Sequence, residues 1–149
     1  MTRYRRIFFM ILSIGIMAAI FLFSAQPGDK SMQISESVTE SLQLGKTDAS
    51  YSYSSVQPIL FSLSARKYAH IVLYAALGLG VFLCFLGCKW KMGRKAIFTF
   101  LICFLYACSD ELHQYFVPGR TASFTDILID SIGFGSMIIF ICLIRYFYR

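Results

Sequence analysis

The sequence predicts an all-α membrane protein with four transmembrane helices, and three observations carry that prediction. The chain of 149 residues is 57% hydrophobic and only 15% charged, with a mean hydropathy of +0.63; soluble domains lie nearer half apolar and a quarter charged. Its apolar residues come in long blocks instead of at core-like spacing. Its basic residues flank those blocks, so membrane topology and anionic headgroups explain the net charge of +6. No nucleic-acid partner is implied.

A bilayer core of about 30 Å needs about 20 mostly apolar residues per helix. The first span is Ile7 to Ser24, "IFFMILSIGIMAAIFLFS", behind the basic "RYRR". Its apolar stretch exceeds the about 7–15 residues of a signal-peptide core, Phe23-Ser24-Ala25 is a poor cleavage site, and no lipobox cysteine follows. An uncleaved anchor is expected. The second span covers about 68–86. The third starts near Ala96, is purely apolar only to Cys108, and must continue through an acidic motif to about Tyr115. The fourth covers about 127–144. Together they form a single domain, 1–149.

Lysine and arginine set the orientation. With both termini cytoplasmic, Arg3, Arg5, Arg6, Lys89, Lys91, Arg94, Lys95, Arg145 and Arg149 lie inside, against Lys30, Lys46, Arg66, Lys67 and Arg120 outside. All acidic residues (Asp29, Glu36, Glu40, Asp48, Asp110, Glu111, Asp126 and Asp130) then fall outside or at the outer edge. In the outer segment, 25–64, Ile34, Val38 and Leu42 recur every four residues before Gly45. That spacing predicts a short amphipathic helix on the headgroups. "VQPILFSLSARKYAH" is expected to return the chain along the interface. The cysteines (Cys84, Cys88, Cys103, Cys108, Cys142) lie in or beside apolar runs without framework or zinc spacing, and read as buried and inert.

Three spans carry polar groups at one level, the outer edge. Lys67, His70 and Tyr74 sit at i, i+3 and i+7 on the second, with Tyr74 about 10 Å below Lys67. Asp110, His113 and Gln114 share a face of the third, from which Glu111 points away and is expected to be solvated. Asp126 and Asp130 are one turn apart on the fourth, with Gly133 continuing the stripe, and both lie where the positive end of the helix dipole favours a carboxylate. Pro118-Gly119 breaks the third helix, Ser123 or Thr125 can cap the fourth, and Arg120 projects from the turn between them. An ionised group at the bilayer centre costs about 2.5–3.5 kcal/mol, and less near the interface. Lys67, Asp126 and Arg120 are therefore inexpensive rim groups, whereas His70 and Asp130 must face protein or a wet cavity.

At these residues the chain resembles the VanZ-like family of small bacterial membrane proteins. The resemblance rests on "FSAQPG" (Phe23–Gly28), "RKYAHIVLYAALG" (Arg66–Gly78) and "SDELHQYFVPGRTASFTDILIDSIG" (Ser109–Gly133), in that order. Ala25 departs from the second serine of the first motif. The family's namesake is associated with resistance to teicoplanin, a glycopeptide that binds peptidoglycan precursors. The resemblance implies a multi-pass protein of the bacterial plasma membrane and cell envelope, with lowered teicoplanin susceptibility as an expectation. Carried over by motif, the positions of interest are Ser24, Gln26, Lys67, His70, Tyr74, Asp110, Glu111, His113, Gln114, Arg120, Asp126 and Asp130.

Three readings of the polar layer stay open. In the preferred one it binds, without catalysis, a lipid head, a lipid-linked peptidoglycan precursor or a glycopeptide. Lys67 and Arg120 would then contact phosphate, while Tyr74 and Gln114 orient the head. In the second it is an enzyme hydrolysing such a lipid, with His70 or His113 as general base and Asp110 or Asp130 orienting the imidazole. A metal variant would use both histidines and one or two carboxylates, but no local ligand signature supports it. Neither a metal nor another cofactor is expected. In the third, pairs such as Lys67–Asp130 or Arg120–Asp110, with each histidine donating to a carboxylate, merely tie the helices together. The small residues Ala75, Ala76, Gly78, Gly80, Gly133, Gly135 and Ser136 permit close helix approach, within one chain or between two copies in a homo-oligomer.

Overall fold

In the computed structural model, which describes residues 3–27, 56–120 and 122–148, four helices follow one another: α1 (Arg3–Ser24), α2 (Val56–Phe85), α3 (Met92–Tyr115) and α4 (Phe124–Phe147). There is no strand among the described residues. Each helix contains a stretch long and apolar enough to cross a bilayer: Arg3–Ser24, Lys67–Phe85, Met92–Tyr115 and Phe124–Phe147. The four spans expected from hydropathy are thus present, shifted by a few residues at their ends. The expected amphipathic helix over Ile34, Val38 and Leu42 lies outside the described residues. The segment leading into the second span belongs to the same helix as the span itself. Its helix is continuous from Val56 through Lys67 into the span.

The helices alternate in direction. Ser24 at the end of α1 meets Asp110 near the end of α3, and Lys67 and His70 of α2 meet Asp126 and Asp130 in the opening turns of α4. At the opposite end, Ser13 approaches Cys84, and the Lys95 ammonium donates to the Leu86 carbonyl. α2 is the central helix. It touches all three others and shares its most extensive contact with α4, while α1 leans on α2 and α3 and does not reach α4. Burial follows suit: 39% of the α2 span is covered by protein, against 17% of α1.

Glycines set the α2–α4 separation. A Cβ on Gly133 would stand 2.5 Å from the Ile71 carbonyl oxygen, and one on Gly78 would stand 3.0 Å from the Phe134 Cα. Backbones can approach this closely only where side chains are absent. Gly80 does the same for α1, where an added Cβ would meet the Ser13 hydroxyl at 2.7 Å. Tyr74, Leu77, Ala107 and Phe134 form the apolar middle of the bundle. Outward, α1 exposes Ile11, Ile14 and Leu22, α3 exposes Leu105 and Leu112, and α4 exposes Leu128, Ile132 and Ile139. Side chains of this kind over a whole perimeter suit acyl chains and not water.

Candidate functional site

The polar residues of the three spans come together at one end of the bundle, with α1 contributing from the side. Ser24 is fully buried, and its hydroxyl donates to Asp110 Oδ2 at 2.8 Å. The Gln114 amide nitrogen donates to the same oxygen at 3.1 Å and to the Ser24 hydroxyl at 3.3 Å. The carbonyl of that amide accepts from Arg120 Nη1 at 2.8 Å. Arg120 reaches further, donating from Nε to the Gln26 carbonyl at 3.1 Å and from Nη2 to the Phe23 carbonyl at 2.9 Å. Its planar fork thus ties the turn after α3 to the turn that ends α1, a role that suits its fixed donor geometry. Gln26 participates through its backbone.

Glu111 corrects the expectation that it is solvated. It is only 5% exposed, and its Oε1 accepts the backbone N–H of Ser123. The chain folds back over the end of α3 on its way into α4, which covers the face that a lone helix would expose. Ser123 also caps α4, its side chain accepting from the Thr125 N–H at 3.2 Å. Gly119 adopts φ 74°, the left-handed conformation that this reversal requires.

The charged pairings also differ from those expected. Lys67 pairs with Asp126, not Asp130, at 3.1 Å, because Asp126 is the carboxylate at the level of the α2 rim. Asp130 lies one turn deeper beside His70, with Nδ1 and Oδ1 3.8 Å apart, too long for a hydrogen bond but close enough for electrostatic pairing. Arg120 hydrogen-bonds Gln114 and two carbonyls where a pairing with Asp110 was expected. His113 leaves the cluster altogether. Its ring stacks on Phe21 of α1 at 4.3 Å between centroids, and its Nε2 is buried without a hydrogen-bond partner among the described residues. His113 therefore does not join His70, as a two-histidine ligand set would require.

Below the rim a tight cluster forms. His70, Asp110 and Asp130, from α2, α3 and α4, are 9%, 2% and 4% exposed, and one ligand atom from each lies within 4.8 Å of the other two. Tyr74, fully buried, sets its hydroxyl beside Asp110 and Asp130. A cavity of about 30 Å³ opens beside the cluster, lined by Lys67, His70, Gln114, Asp126, Ile129 and Asp130. That volume holds at least one water-sized group. Spacing in the sequence could not reveal Phe21, Ile129, the Phe23 carbonyl or Tyr106, whose hydroxyl donates to the Met17 carbonyl at 2.6 Å. They join through the position of α1 and through backbone atoms, which carry no residue-type signal.

A family model described as VanZ/LLP1 matches residues 9–145, a range that takes in every group named above. The chain belongs to the VanZ/LLP1 family. Neither a curated protein nor a solved structure matches it. As a VanZ/LLP1 protein with four membrane-length helices, it is a multi-pass membrane protein of the VanZ type.

Proposed function

We propose that this VanZ/LLP1 protein sits in the bacterial plasma membrane with both termini in the cytoplasm, and that its polar pocket binds the phosphate-bearing head of a lipid or lipid-linked cell-wall intermediate at the extracytoplasmic face. The observation that supports this most is the cavity at the ends of the helices, with a half-exposed cation at its mouth and acceptors below it. Lys67 is 45% exposed along its side chain, so it can exchange Asp126 for a ligand phosphate at little cost. Asp126 and Asp130 then face the head as acceptors for hydroxyl or amine groups. Arg120 and Gln114 act here as the wall: their donors are engaged within the protein. Teicoplanin susceptibility would follow from capture of a cell-wall intermediate and not from contact with the drug.

The test is binding to the purified full chain in detergent. The probes are a lipid diphosphate, a zwitterionic phospholipid of equal chain length, and teicoplanin, each with wild type and Lys67→Ala. Saturable binding of the diphosphate lipid, weakened in Lys67→Ala, is expected. Equal retention of both lipids, or binding of teicoplanin alone, would remove the proposal. A second reading has one observation in its favour, the proximity of His70 to Asp130 in a general-base arrangement. It predicts release of phosphate or head from the bound lipid, and the loss of that release in His70→Gln.

A further inference from the structure

We propose that His70, Asp110 and Asp130 form a binding site for one divalent transition-metal ion, such as Zn²⁺ or Mn²⁺, in the floor of the pocket. The three side chains come from three helices, and one ligand atom of each lies within 4.8 Å of the other two. Ligands at about 2.1 Å from such an ion stand about 3.0–3.4 Å apart at tetrahedral or octahedral angles. The three atoms reach that spacing by side-chain movements of less than about 1 Å each. One imidazole with two carboxylates is a donor set suited to zinc, manganese or iron, and less to calcium, which takes oxygen alone.

A second feature points to a ligand independently of this clustering. Asp110 is 2% exposed and its two oxygens differ. Oδ2 accepts from both Ser24 and Gln114, whereas Oδ1 is buried without a hydrogen-bond partner among the described residues. A carboxylate held by one oxygen, with the other left to a cation, is the arrangement of a metal ligand with its supporting shell. The Tyr74 hydroxyl is fully buried beside the same two carboxylates. A buried carboxylate oxygen such as Asp110 Oδ1 calls for a partner. An ion at this point would supply one to Asp110. The cavity beside His70 and Asp130 provides the route of entry and room for the ion's remaining water ligands. The nearby cation Lys67 is turned to Asp126 at the rim. The assignment excludes His113, which lies against Phe21, and it reverses the expectation that no metal is held.

The proposal goes beyond head-group binding, and the two are separable by experiment. The full chain is purified in detergent, stripped with chelator, and titrated without added lipid with ZnCl₂, MnCl₂ or CaCl₂. Bound metal is counted by elemental analysis, and the melting temperature is followed. Expected are one Zn²⁺ or Mn²⁺ per chain, a raised melting temperature, and little effect of calcium. Asp130→Asn should weaken metal binding about 100-fold or more. Ser24→Ala, which removes a contact to Asp110 at its supporting oxygen alone, should weaken it about 10- to 100-fold. His113→Ala and Lys67→Ala should retain it. Because wild type carries the first readout, a variant that fails to fold leaves the test intact. Wild type that holds no transition metal, or folded Asp130→Asn that binds it as tightly as wild type, would overturn the site. Loss of lipid binding in Lys67→Ala with metal retained would leave both proposals standing. Metal binding without any lipid binding would leave this one alone.

Discussion

Replacing Gly133 by alanine probes the contact on which the site depends. The added Cβ would stand 2.5 Å from the Ile71 carbonyl oxygen and 3.2 Å from its carbonyl carbon and Cα, all backbone atoms of a helix that cannot rotate out of the way. Ordinary contact begins at 3.4 Å, so α2 and α4 must separate locally by about 0.9 Å. Overpacking of this kind costs about 1–3 kcal/mol. The better helix propensity of alanine offsets up to about 1 kcal/mol of it. With the full offset, a net loss of about 0–2 kcal/mol is expected, towards the upper end because the clash is with backbone atoms. Gly135 provides the internal control, since a Cβ there meets nothing within 4 Å and only the propensity term acts. Gly78→Ala, at 3.0 Å from Phe134, should fall between the two. Equilibrium unfolding of the three variants by SDS titration in mixed micelles measures the series. A Gly133→Ala protein as stable as Gly135→Ala would refute the close α2–α4 contact. Asp130 lies one turn from Gly133 and His70 adjoins Ile71, so the same shift should loosen the His70–Asp130 proximity.

Ser24→Ala leaves Asp110 Oδ2 with Gln114 as its remaining donor and should cost about 1–3 kcal/mol in the same unfolding assay. Arg120→Ala removes hydrogen bonds to three acceptors on two segments and should cost about 2–3 kcal/mol; Arg120→Lys should recover little, because one ammonium cannot reproduce the fork. Lys67→Ala breaks a half-exposed ion pair and should change stability by no more than about 1 kcal/mol while reducing lipid-head binding, which calorimetry on the purified chain separates.

Much of this arrangement was legible in the sequence, and the failures have physical reasons. Hydropathy locates depth in the bilayer, so the four spans were readable. It does not mark where a helix begins, so the extension of α2 back to Val56 was missed. Helical spacing placed Lys67, His70, Asp126 and Asp130 on facing stripes, yet could not choose between Asp126 and Asp130 as the lysine's partner. Both lie on one face, and the choice depends on the axial offset of two helices. Asp110, His113 and Gln114 also share a face, but α1 divides it: Ser24 takes Asp110 and Gln114 inward while Phe21 captures His113. Glu111 was misjudged because a helical wheel omits the chain that folds back over the helix end at Ser123. The glycines at 78, 80 and 133 sit at close contacts as their type suggested, whereas a Cβ at Gly135 would meet nothing within 4 Å among the described residues.

Where the pocket opens is best tested by thiol labelling from outside the cell. In a chain with its five native cysteines replaced, Lys67→Cys lies at the pocket mouth and Arg94→Cys at the opposite end of the bundle. A membrane-impermeant maleimide added to intact cells should modify Lys67→Cys, and should modify Arg94→Cys only after permeabilisation. The reverse pattern would place the polar cluster on the cytoplasmic side and contradict its role in recognising an extracytoplasmic head group.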